Sequence, residues 1–288
     1  MSTIMGGVSR EVISGKTRLL ALIGHPVTHS LSPAMHNAAF AEDGLDFVYV
    51  CLDVDPGSLP AAVKGLEALN LRGFNVTMPH KRAMLPLVDD LDEGARISGA
   101  VNTVVIEASG MRGHNTDGGG MVMACEEAGI ALRDGSVLLL GSGGTAAAIA
   151  VAFYEAGIGE LHIASRNIEH AAHLRDKLSR NGMRNLSVHP LDASEQELPD
   201  ADVIVNSTPL GMKEDDPMPV PPEYVRKVRS FCDVVYRPGG ETPLVRLARE
   251  RGVPVVAGDR MLLYQGVLAQ KLWTGRDPNV RAMDGAIS

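Results

Sequence analysis

The sequence predicts an α/β protein built from two units, and three observations support this. The chain has 288 residues, room for about two domains of ordinary size. Short apolar runs bounded by Gly, Pro or Asp are repeatedly followed by segments with helical spacing, which is typical of parallel sheets covered by helices. The alternation stops near Asn115–Gly120, where three glycines are consecutive, and then resumes. We therefore place the seam between the units there.

The first unit is predicted from its apolar runs. Strands are expected at Leu19–Ile23 and Phe47–Cys51, helices at Pro33–Phe40 and Leu59–Leu69, and a hairpin at Val101–Ile106 and Met111–His114. In the second unit, strands are expected at Val137–Leu140, Leu161–Ala164, Asp202–Val205, Asp233–Tyr236 and Val253–Val256. A helical segment, Met261–Trp273, follows the last strand. Its period leaves open whether it covers the second unit or returns to the first.

Composition excludes several classes of protein. Hydrophobic residues make up 45% and charged residues 22%, as in an average soluble globular protein. No apolar run approaches the roughly 18 residues of a membrane-spanning helix. The 27 basic and 35 acidic side chains give a net charge of −8, which disfavours nucleic acid as a partner.

The cysteines and the N-terminus indicate a reducing compartment. Cys51, Cys125 and Cys232 are scattered, without a CxxC pair or histidines at metal-ligand spacing. We expect three small buried thiols and no metal site. The segment Met1–Lys16 is polar and lacks the apolar core of a secretory signal, so a cytoplasmic protein is expected.

A glycine-rich turn predicts a dinucleotide site in the second unit. The apolar run Val137–Leu140 leads directly into Gly141, Ser142, Gly143, Gly144 and Thr145, and an alanine-rich helix follows. Glycines let the backbone approach a pyrophosphate, and the positive end of the helix holds its charge. A tight structural turn is the competing interpretation.

The end of the next strand favours NADP over NAD. A site specific for NAD usually has an acidic side chain there, which binds the ribose 2′-hydroxyl. This chain instead has Ser165, Arg166 and Asn167, and a guanidinium suits a 2′-phosphate. The simpler interpretation of Arg166 is a solvated residue at the start of a helix.

Polar residues follow the predicted strands of the first unit, where ligands collect in parallel α/β sheets. Four segments carry them: Ser30–Pro33, Asn75–Lys81, Ala100–Thr103 and Asn115–Asp117. Each has a structural alternative. Ser32 before Pro33 suits an N-cap, Thr77 can cap a helix carrying Lys81, and the asparagines suit turns. Ser30 has no such explanation.

Together these motifs resemble the shikimate dehydrogenase family, including its quinate/shikimate dehydrogenase branch. The resemblance runs in order from about Leu19 to Trp273. The motifs are Ser30–Pro33, Asn75–Lys81, Ala100–Thr103, Asn115–Gly118, the Gly141 turn, Asn206–Met212, Asp233–Tyr236 and Met261–Gly266.

The resemblance implies an enzyme of aromatic amino acid biosynthesis, in the chorismate pathway, that interconverts 3-dehydroshikimate and shikimate with NADP, or alternatively with NAD. It implies a substrate domain made of residues 1–117 and 258–288, with the C-terminal helices folded back onto it. A Rossmann-like domain, residues 118–257, would bind the cofactor. The sequence gives no choice between a monomer and a homodimer.

The resemblance also implies roles for individual residues. Lys81 and Asp117 would form the catalytic pair. The substrate-binding set would be Ser30, Ser32, Thr77, Asn102, Tyr236 and Gln265. The cofactor-binding set would be Gly141, Ser142, Gly143, Gly144, Thr145, Ser165, Arg166, Asn167, Thr208, Val234 and Gly258.

Two departures from the family leave alternatives open. NADP-using members usually have a second basic residue soon after the position of Arg166, whereas this chain has Ile168, Glu169 and His170. Arg260 stands where the family commonly has glycine, and it either points to solvent or reaches into the cleft. An NAD-preferring quinate/shikimate dehydrogenase is therefore the nearest alternative. A dinucleotide-binding regulatory protein without catalysis is a remote one.

Overall fold

The computed structural model describes residues 13–194, 196–213, 215–237 and 240–288. The expectation for Met1–Lys16 lies, up to residue 12, outside the described residues. The described chain forms two six-stranded sheets with helices on their faces. We call the sheet nearer the N-terminus, with its helices, the first unit, and the other the second unit.

The first sheet is parallel on one side and antiparallel on the other. Its strands are β1 (Arg18–Gly24), β2 (Phe47–Asp53), β3 (Gly73–Val76), β4 (Asp90–Leu91), β5 (Thr103–Glu107) and β6 (Gly110–His114), in the order β2-β1-β3-β5-β6-β4. Strands β1, β2 and β3 are parallel, while β5 runs antiparallel to both β3 and β6. As a result, the ends of β1, β3 and β6 and the start of β5 share one edge.

The second sheet is entirely parallel. Its strands are β7 (Ser136–Leu140), β8 (Glu160–Ser165), β9 (Leu186–Pro190), β10 (Val203–Asn206), β11 (Ser230–Asp233) and β12 (Val255–Val256), in the order β12-β11-β10-β7-β8-β9. The chain winds outward in both directions from β7, as in dinucleotide-binding folds. The predicted Rossmann-like unit is confirmed.

Nine α-helices cover the sheets in the described part of the chain. They are α1 (Ser32–Glu42), α2 (Leu59–Ala68), α3 (Glu93–Ser98), α4 (Asp117–Glu127), α5 (Gly144–Glu155), α6 (Ile168–Arg180), α7 (Pro243–Glu250), α8 (Gly258–Thr274) and α9 (Val280–Gly285). Helix α8 packs against α4, α1 and β5, and α9 packs against α1. The indole of Trp273 in α8 is buried and donates to the Val104 carbonyl at 2.9 Å. The prediction that the C-terminal helices return to the first unit is confirmed.

Three local predictions were wrong. The strand expected at Asp233–Tyr236 lies at Ser230–Asp233, because the Asp233 carboxylate accepts from the Val235 amide at 3.0 Å and turns the chain out of the sheet. Ser32 is the first residue of α1 rather than its N-cap, and Leu31 precedes it without a side-chain cap. Lys81 lies in a series of turns, so Thr77 caps no helix there.

The three glycines near the predicted seam lie inside α4 and serve close packing. A Cβ on Gly118 would overlap the carbonyl oxygen of Ala148 in α5, and one on Gly120 would lie 2.6 Å from the Gln265 amide in α8. Helix α4 is thus packed between the two units. The run is a contact surface between helices.

Other expectations concern membranes, metals and thiols. None of the described helices is long and apolar enough to cross a membrane. In the same residues, no group of three His, Cys, Asp or Glu side chains is arranged to hold a metal ion. Cys125 and Cys232 are buried as predicted, but Cys51 is half-buried because it lies on β2, at the edge of the sheet.

Candidate active site

An ion pair lies at the shared strand edge of the first unit. Lys81 follows β3, and Asp117 opens α4 just after β6. The Lys81 Nζ is 2.5 Å from Asp117 Oδ2, and the side chains are 20% and 6% exposed. A carboxylate in the first turn of a helix is favoured by the helix dipole. The lysine therefore presents a partly accessible ammonium held by a nearly buried carboxylate.

The other oxygen of Asp117 is held by Asn102. The Asn102 Nδ2 donates to Asp117 Oδ1 at 2.7 Å and to Thr116 Oγ1 at 2.9 Å. The Asn102 Oδ1 accepts from the Thr116 amide at 2.8 Å and from Thr103 Oγ1 at 3.0 Å. With both amide protons donated inside the protein, Asn102 fixes the orientation of the Asp117 carboxylate.

The hydrogen bonds continue away from Asp117 through residues without an assigned role in the sequence prediction. Asn75 donates to Thr103 Oγ1 at 2.9 Å, and the Tyr49 hydroxyl donates to Asn75 Oδ1 at 2.7 Å. A sequence signal for part of this cluster exists: an Asn-Thr pair stands on each side of the β5–β6 hairpin, at 102–103 and 115–116. Antiparallel pairing brings such pairs together.

Three further groups meet near the end of β1. The Ser30 Oγ accepts from the Ser32 amide at 3.2 Å. Burial raises the pKa of the Cys51 thiol, and a hydrogen bond with Ser30 opposes that rise. Burial, and then the neighbouring Cys51, raises the pKa of Tyr236. Ser30 therefore lies beside Cys51, and Tyr236, which follows β11 in the second unit, lies within electrostatic range of the Cys51 thiol. The sequence did not single out Cys51 for this place.

Thr77 and Gln265 lie on elements that border the same edge. Thr77 follows β3, and a Cβ on Gly24 at the end of β1 would overlap its methyl group. Gln265 lies on α8 beside Gly120 of α4, and its amide donates to Leu262 in its own helix at 2.9 Å.

The glycine turn lies at the end of β7 as predicted, and its details suit a bound anion. Gly141 has φ +110° and its Cα lies against Ser207, so no other residue fits there without strain. The Ser142 and Ser165 hydroxyls are 3.0 Å apart, which joins the turn to the end of β8. A Cβ on Gly143 would meet nothing within 4 Å, so a ligand can approach the backbone.

The turn also adjoins the ion pair of the first unit. The Thr145 Oγ1, in the first turn of α5, donates to Asp117 Oδ2 at 3.2 Å. The predicted cofactor turn and the predicted catalytic pair are thus in direct contact.

Side chains after β8 are open to solvent. Arg166 is exposed and makes no ion pair or side-chain hydrogen bond within the described ranges. Asn167 Oδ1 accepts from the His170 amide at 3.0 Å and caps α6, while Glu169 and His170 are exposed beside it. The structure brings Ser165 to the glycine turn and leaves the Arg166 side chain exposed to solvent.

A buried aspartate joins the loops that follow β10 and β11. Asp233 accepts from Asn206 at 3.0 Å and from Thr242 Oγ1 at 2.7 Å. Asn206 also accepts from the Thr208 hydroxyl at 2.7 Å. Burial raises the pKa of Asp233 to about 6, although these hydrogen bonds oppose the shift. Asp233 thereby joins the loop after β10, which carries Thr208, to the segment after β11, which carries Val234 and Tyr236.

The end of this segment meets the start of α8. A Cβ on Gly258 would lie 2.5 Å from the carbonyl of Val235, so only glycine permits this approach. Gly258 is thereby held next to Val235 and Tyr236.

Arg260 takes neither of the two orientations considered from the sequence. Its guanidinium donates to both Glu127 oxygens, at 2.8 and 2.6 Å, and to Asp284 Oδ1 at 2.5 Å. The arginine joins α8 to the end of α4 and to α9, and its side chain is 24% exposed. It is a structural clamp between helices.

A glycine-turn dinucleotide fold beside a lysine–carboxylate pair defines the class of nicotinamide-dependent oxidoreductases. Comparison with known proteins agrees. The family of the shikimate dehydrogenase substrate binding domain matches residues 22–104, that of shikimate / quinate 5-dehydrogenase matches 123–211, and that of the shikimate 5′-dehydrogenase C-terminal domain matches 260–287.

Individual relatives cover nearly the whole chain. A shikimate dehydrogenase (NADP+) of Rubrobacter xylanophilus is 55% identical over 96% of this chain and 97% of that protein. The structure of shikimate 5-dehydrogenase from Thermus thermophilus with NADP(H) and shikimate has a TM-score of 0.83 and 36% identity, over 94% of this chain and 98% of that one. Quinate dehydrogenase from Corynebacterium glutamicum with NAD has a TM-score of 0.85 and 34% identity, over 94% and 98%. The chain belongs to the shikimate dehydrogenase family.

Proposed function

We propose that the protein is a shikimate dehydrogenase that reversibly reduces 3-dehydroshikimate to shikimate with NADPH. The observation that carries the proposal is the Lys81–Asp117 pair in contact with the glycine turn through Thr145. The relatives named shikimate dehydrogenase (NADP+) support the choice of substrate and cofactor.

The residues present fit NADP. The open backbone at Gly143, the positive φ of Gly141 and the start of α5 suit a pyrophosphate, and the exposed guanidinium of Arg166 suits a 2′-phosphate. Ser142, Gly144, Ser165, Thr208, Val234 and Gly258 border the same edge of the second sheet. The bound nicotinamide supplies the hydride; the protein supplies position and a proton.

Lys81 is the proton donor in this proposal. As the ring ketone is reduced, negative charge develops on its oxygen, and an ammonium within hydrogen-bond reach stabilises that charge and gives up a proton. Asp117 keeps the Nζ in place through the 2.5 Å contact. In the reverse direction, the neutral amine of Lys81 takes the proton of the shikimate hydroxyl and becomes the ammonium again.

The remaining polar groups at this edge would bind the substrate. Ser30 and Ser32 are proposed for the carboxylate, and Thr77, Tyr236 and Gln265 for the hydroxyls. Ser30 and Tyr236 lie on opposite units, and Cys51 bonds to Ser30 and lies within electrostatic range of Tyr236, which supports a site enclosed from two sides. Asn102 belongs to the same proposed set and also holds Asp117.

The proposal includes further properties. The substrate domain would comprise residues 1–117 and 258–288, and the cofactor domain residues 118–257. We also propose a cytoplasmic protein acting as a monomer or homodimer.

A second candidate, a quinate/shikimate dehydrogenase that prefers NAD, is favoured by one observation. The exposed Glu169 carboxylate lies three residues after Arg166, in the first turn of α6, and would repel a 2′-phosphate bound by Arg166. NAD lacks that phosphate.

The test is to incubate the purified protein with shikimate and NADP+ and to record NADPH absorbance while identifying the ketone by mass spectrometry. Stoichiometric NADPH and 3-dehydroshikimate support the proposal. Cofactor binding without turnover of shikimate or quinate would instead favour a regulatory protein.

A further inference from the structure

We infer that Thr145 is a positioning residue for the acid/base pair, holding Asp117 from the cofactor side of the cleft. The inference rests on the proposed function and deepens it. The sequence prediction gave Thr145 only a role in cofactor binding through the glycine turn.

The hydrogen-bond geometry carries the inference. Asp117 Oδ2 lies 2.5 Å from Lys81 Nζ and 3.2 Å from Thr145 Oγ1, so one oxygen is shared by a lysine of the first unit and a hydroxyl of the second. Asn102 holds the other oxygen at 2.7 Å. Among the described residues, Thr145 is the member of the second unit whose side chain donates to this carboxylate.

The hydroxyl of Thr145 is not engaged in its own helix. Threonine near a helix start usually bonds to backbone groups of the same helix. Here Gly143 precedes α5 as a cap without a side chain, and Thr145 instead bonds across to the other unit. Local helix stability therefore does not explain this hydrogen bond.

Two glycines permit close packing at the starts of α4 and α5. A Cβ on Gly118 would overlap the Ala148 carbonyl oxygen, and a Cβ on Gly144 would lie 2.8 Å from the Ala100 Cβ. Gly118 therefore lets α4 approach α5 closely, and Gly144 lets the start of α5 approach Ala100, just before β5 of the first unit. The same approach brings Thr145 within reach of Asp117.

This contact fixes a distance that matters for chemistry. Thr145 belongs to the unit that contains the glycine turn, and Asp117 forms the ion pair with Lys81. A bond between them sets the placement of the proton donor relative to the cofactor. Small losses of such alignment lower reaction rates without weakening ligand binding.

The two roles of Thr145 predict different kinetics. Loss of a positioning contact lowers the rate of the chemical step and leaves the KM for NADP+ almost unchanged. Loss of a cofactor contact raises the KM for NADP+ and leaves the rate at saturation.

The experiment compares Thr145→Val, Thr145→Ser and the control Thr274→Val, whose hydroxyl bonds to Gln270 within α8. Single-turnover NADPH formation from saturating shikimate and NADP+ is measured, with the KM for NADP+ and a thermal unfolding curve. We expect Thr145→Val to lower the rate about tenfold, equivalent to about 1.4 kcal/mol, with a KM within twofold. Thr145→Ser should recover most of the loss, and Thr274→Val should keep the wild-type rate.

Three results overturn the inference. They are a wild-type rate in Thr145→Val, a raised KM for NADP+ with no loss of rate, and an equal loss in Thr145→Ser. A wild-type protein that forms no NADPH from shikimate contradicts the proposed function, and this inference with it. Unchanged unfolding temperatures show that a lost rate is not lost fold.

Discussion

The two ends of the candidate site are built differently. At the catalytic end, Asp117 accepts from Lys81, Asn102 and Thr145, so its carboxylate is held by partners from within the protein. At the phosphate end, Arg166 is exposed and has no ion pair in the described ranges. One end is preorganised by the protein, whereas the other needs its ligand.

Because of this difference, the catalytic end and the phosphate end control different kinetic constants. A preorganised group is ready when the substrate arrives, so changing it lowers the rate of the chemical step. An open charge contributes only after the ligand binds, so changing it alters affinity and cofactor choice. The following predictions test whether the catalytic end controls rate and the phosphate end controls affinity.

Lys81→Ala is expected to have the largest effect. Removing a general acid costs about 10² to 10⁴ in rate, so kcat should fall by about 10³ while the KM for NADP+ changes little. Steady-state kinetics with Lys64→Ala, an exposed lysine on α2, as the control measures this. A Lys81→Ala protein with full kcat would show that the pair has no acid/base role.

Asp233→Asn tests an internally held carboxylate whose partners are neutral. Burial raises the pKa of Asp233 from 3.8 to about 6. Between those pH values the folded chain binds more protons than the unfolded chain. The stability from this group is therefore complete below about pH 4 and is lost as the pH rises past about 6, about 3 kcal/mol in all.

The Asp233→Asn variant cannot ionise, so its free energy of unfolding should rise relative to wild type between about pH 4 and pH 7. Urea unfolding at several pH values measures the difference. Asp192→Asn, at an exposed position of the same unit, is the control. Parallel pH curves for wild type and Asp233→Asn would remove the pH dependence from Asp233.

Asn102→Ala probes how far preorganisation matters. It removes the donor to Asp117 Oδ1 and one hydrogen-bond partner each of Thr116 and Thr103. A hydrogen bond to a charged group contributes about 1.5 to 3 kcal/mol, so kcat should fall about 30-fold. The KM for shikimate separates the roles, since a substrate contact raises it. Asn181→Ala, on the exposed end of α6, is the control.

Arg166→Ala should have the smallest effect and change affinity rather than rate. We expect kcat/KM for NADP+ to fall about tenfold, since one charge-assisted contact is lost, and the value for NAD+ to stay within about twofold. Arg184→Ala, an exposed arginine at the opposite end of β9, is the matched control. An equal fall for both cofactors would mean that Arg166 does not bind the 2′-phosphate.

Features carried by contiguous sequence could be predicted. The glycine turn after Val137–Leu140 and the alternation of apolar runs each depend on residues close along the chain. The place of Lys81 beside Asp117 came instead from the family resemblance, because 36 residues separate them.

Features set by distant contacts could not be predicted. The partners of Arg260, on α4 and α9, are 133 and 24 residues away. Strand β9 was not predicted because it is short, contains two apolar residues other than its terminal proline, and lies half-buried at the edge of the sheet. The shift of β11 follows from the Asp233 side chain bonding to its own backbone, which apolar periodicity does not register.

The proposal of an NADP-dependent shikimate dehydrogenase is tested by a two-by-two matrix of initial rates. Shikimate or quinate is combined with NADP+ or NAD+, and kcat/KM is reported for each pair. We expect the kcat/KM for shikimate with NADP+ to exceed the value for each other combination by about tenfold or more, equivalent to about 1.4 kcal/mol. A higher value with NAD+, or comparable turnover of quinate, would contradict it and assign the protein to the quinate/shikimate branch.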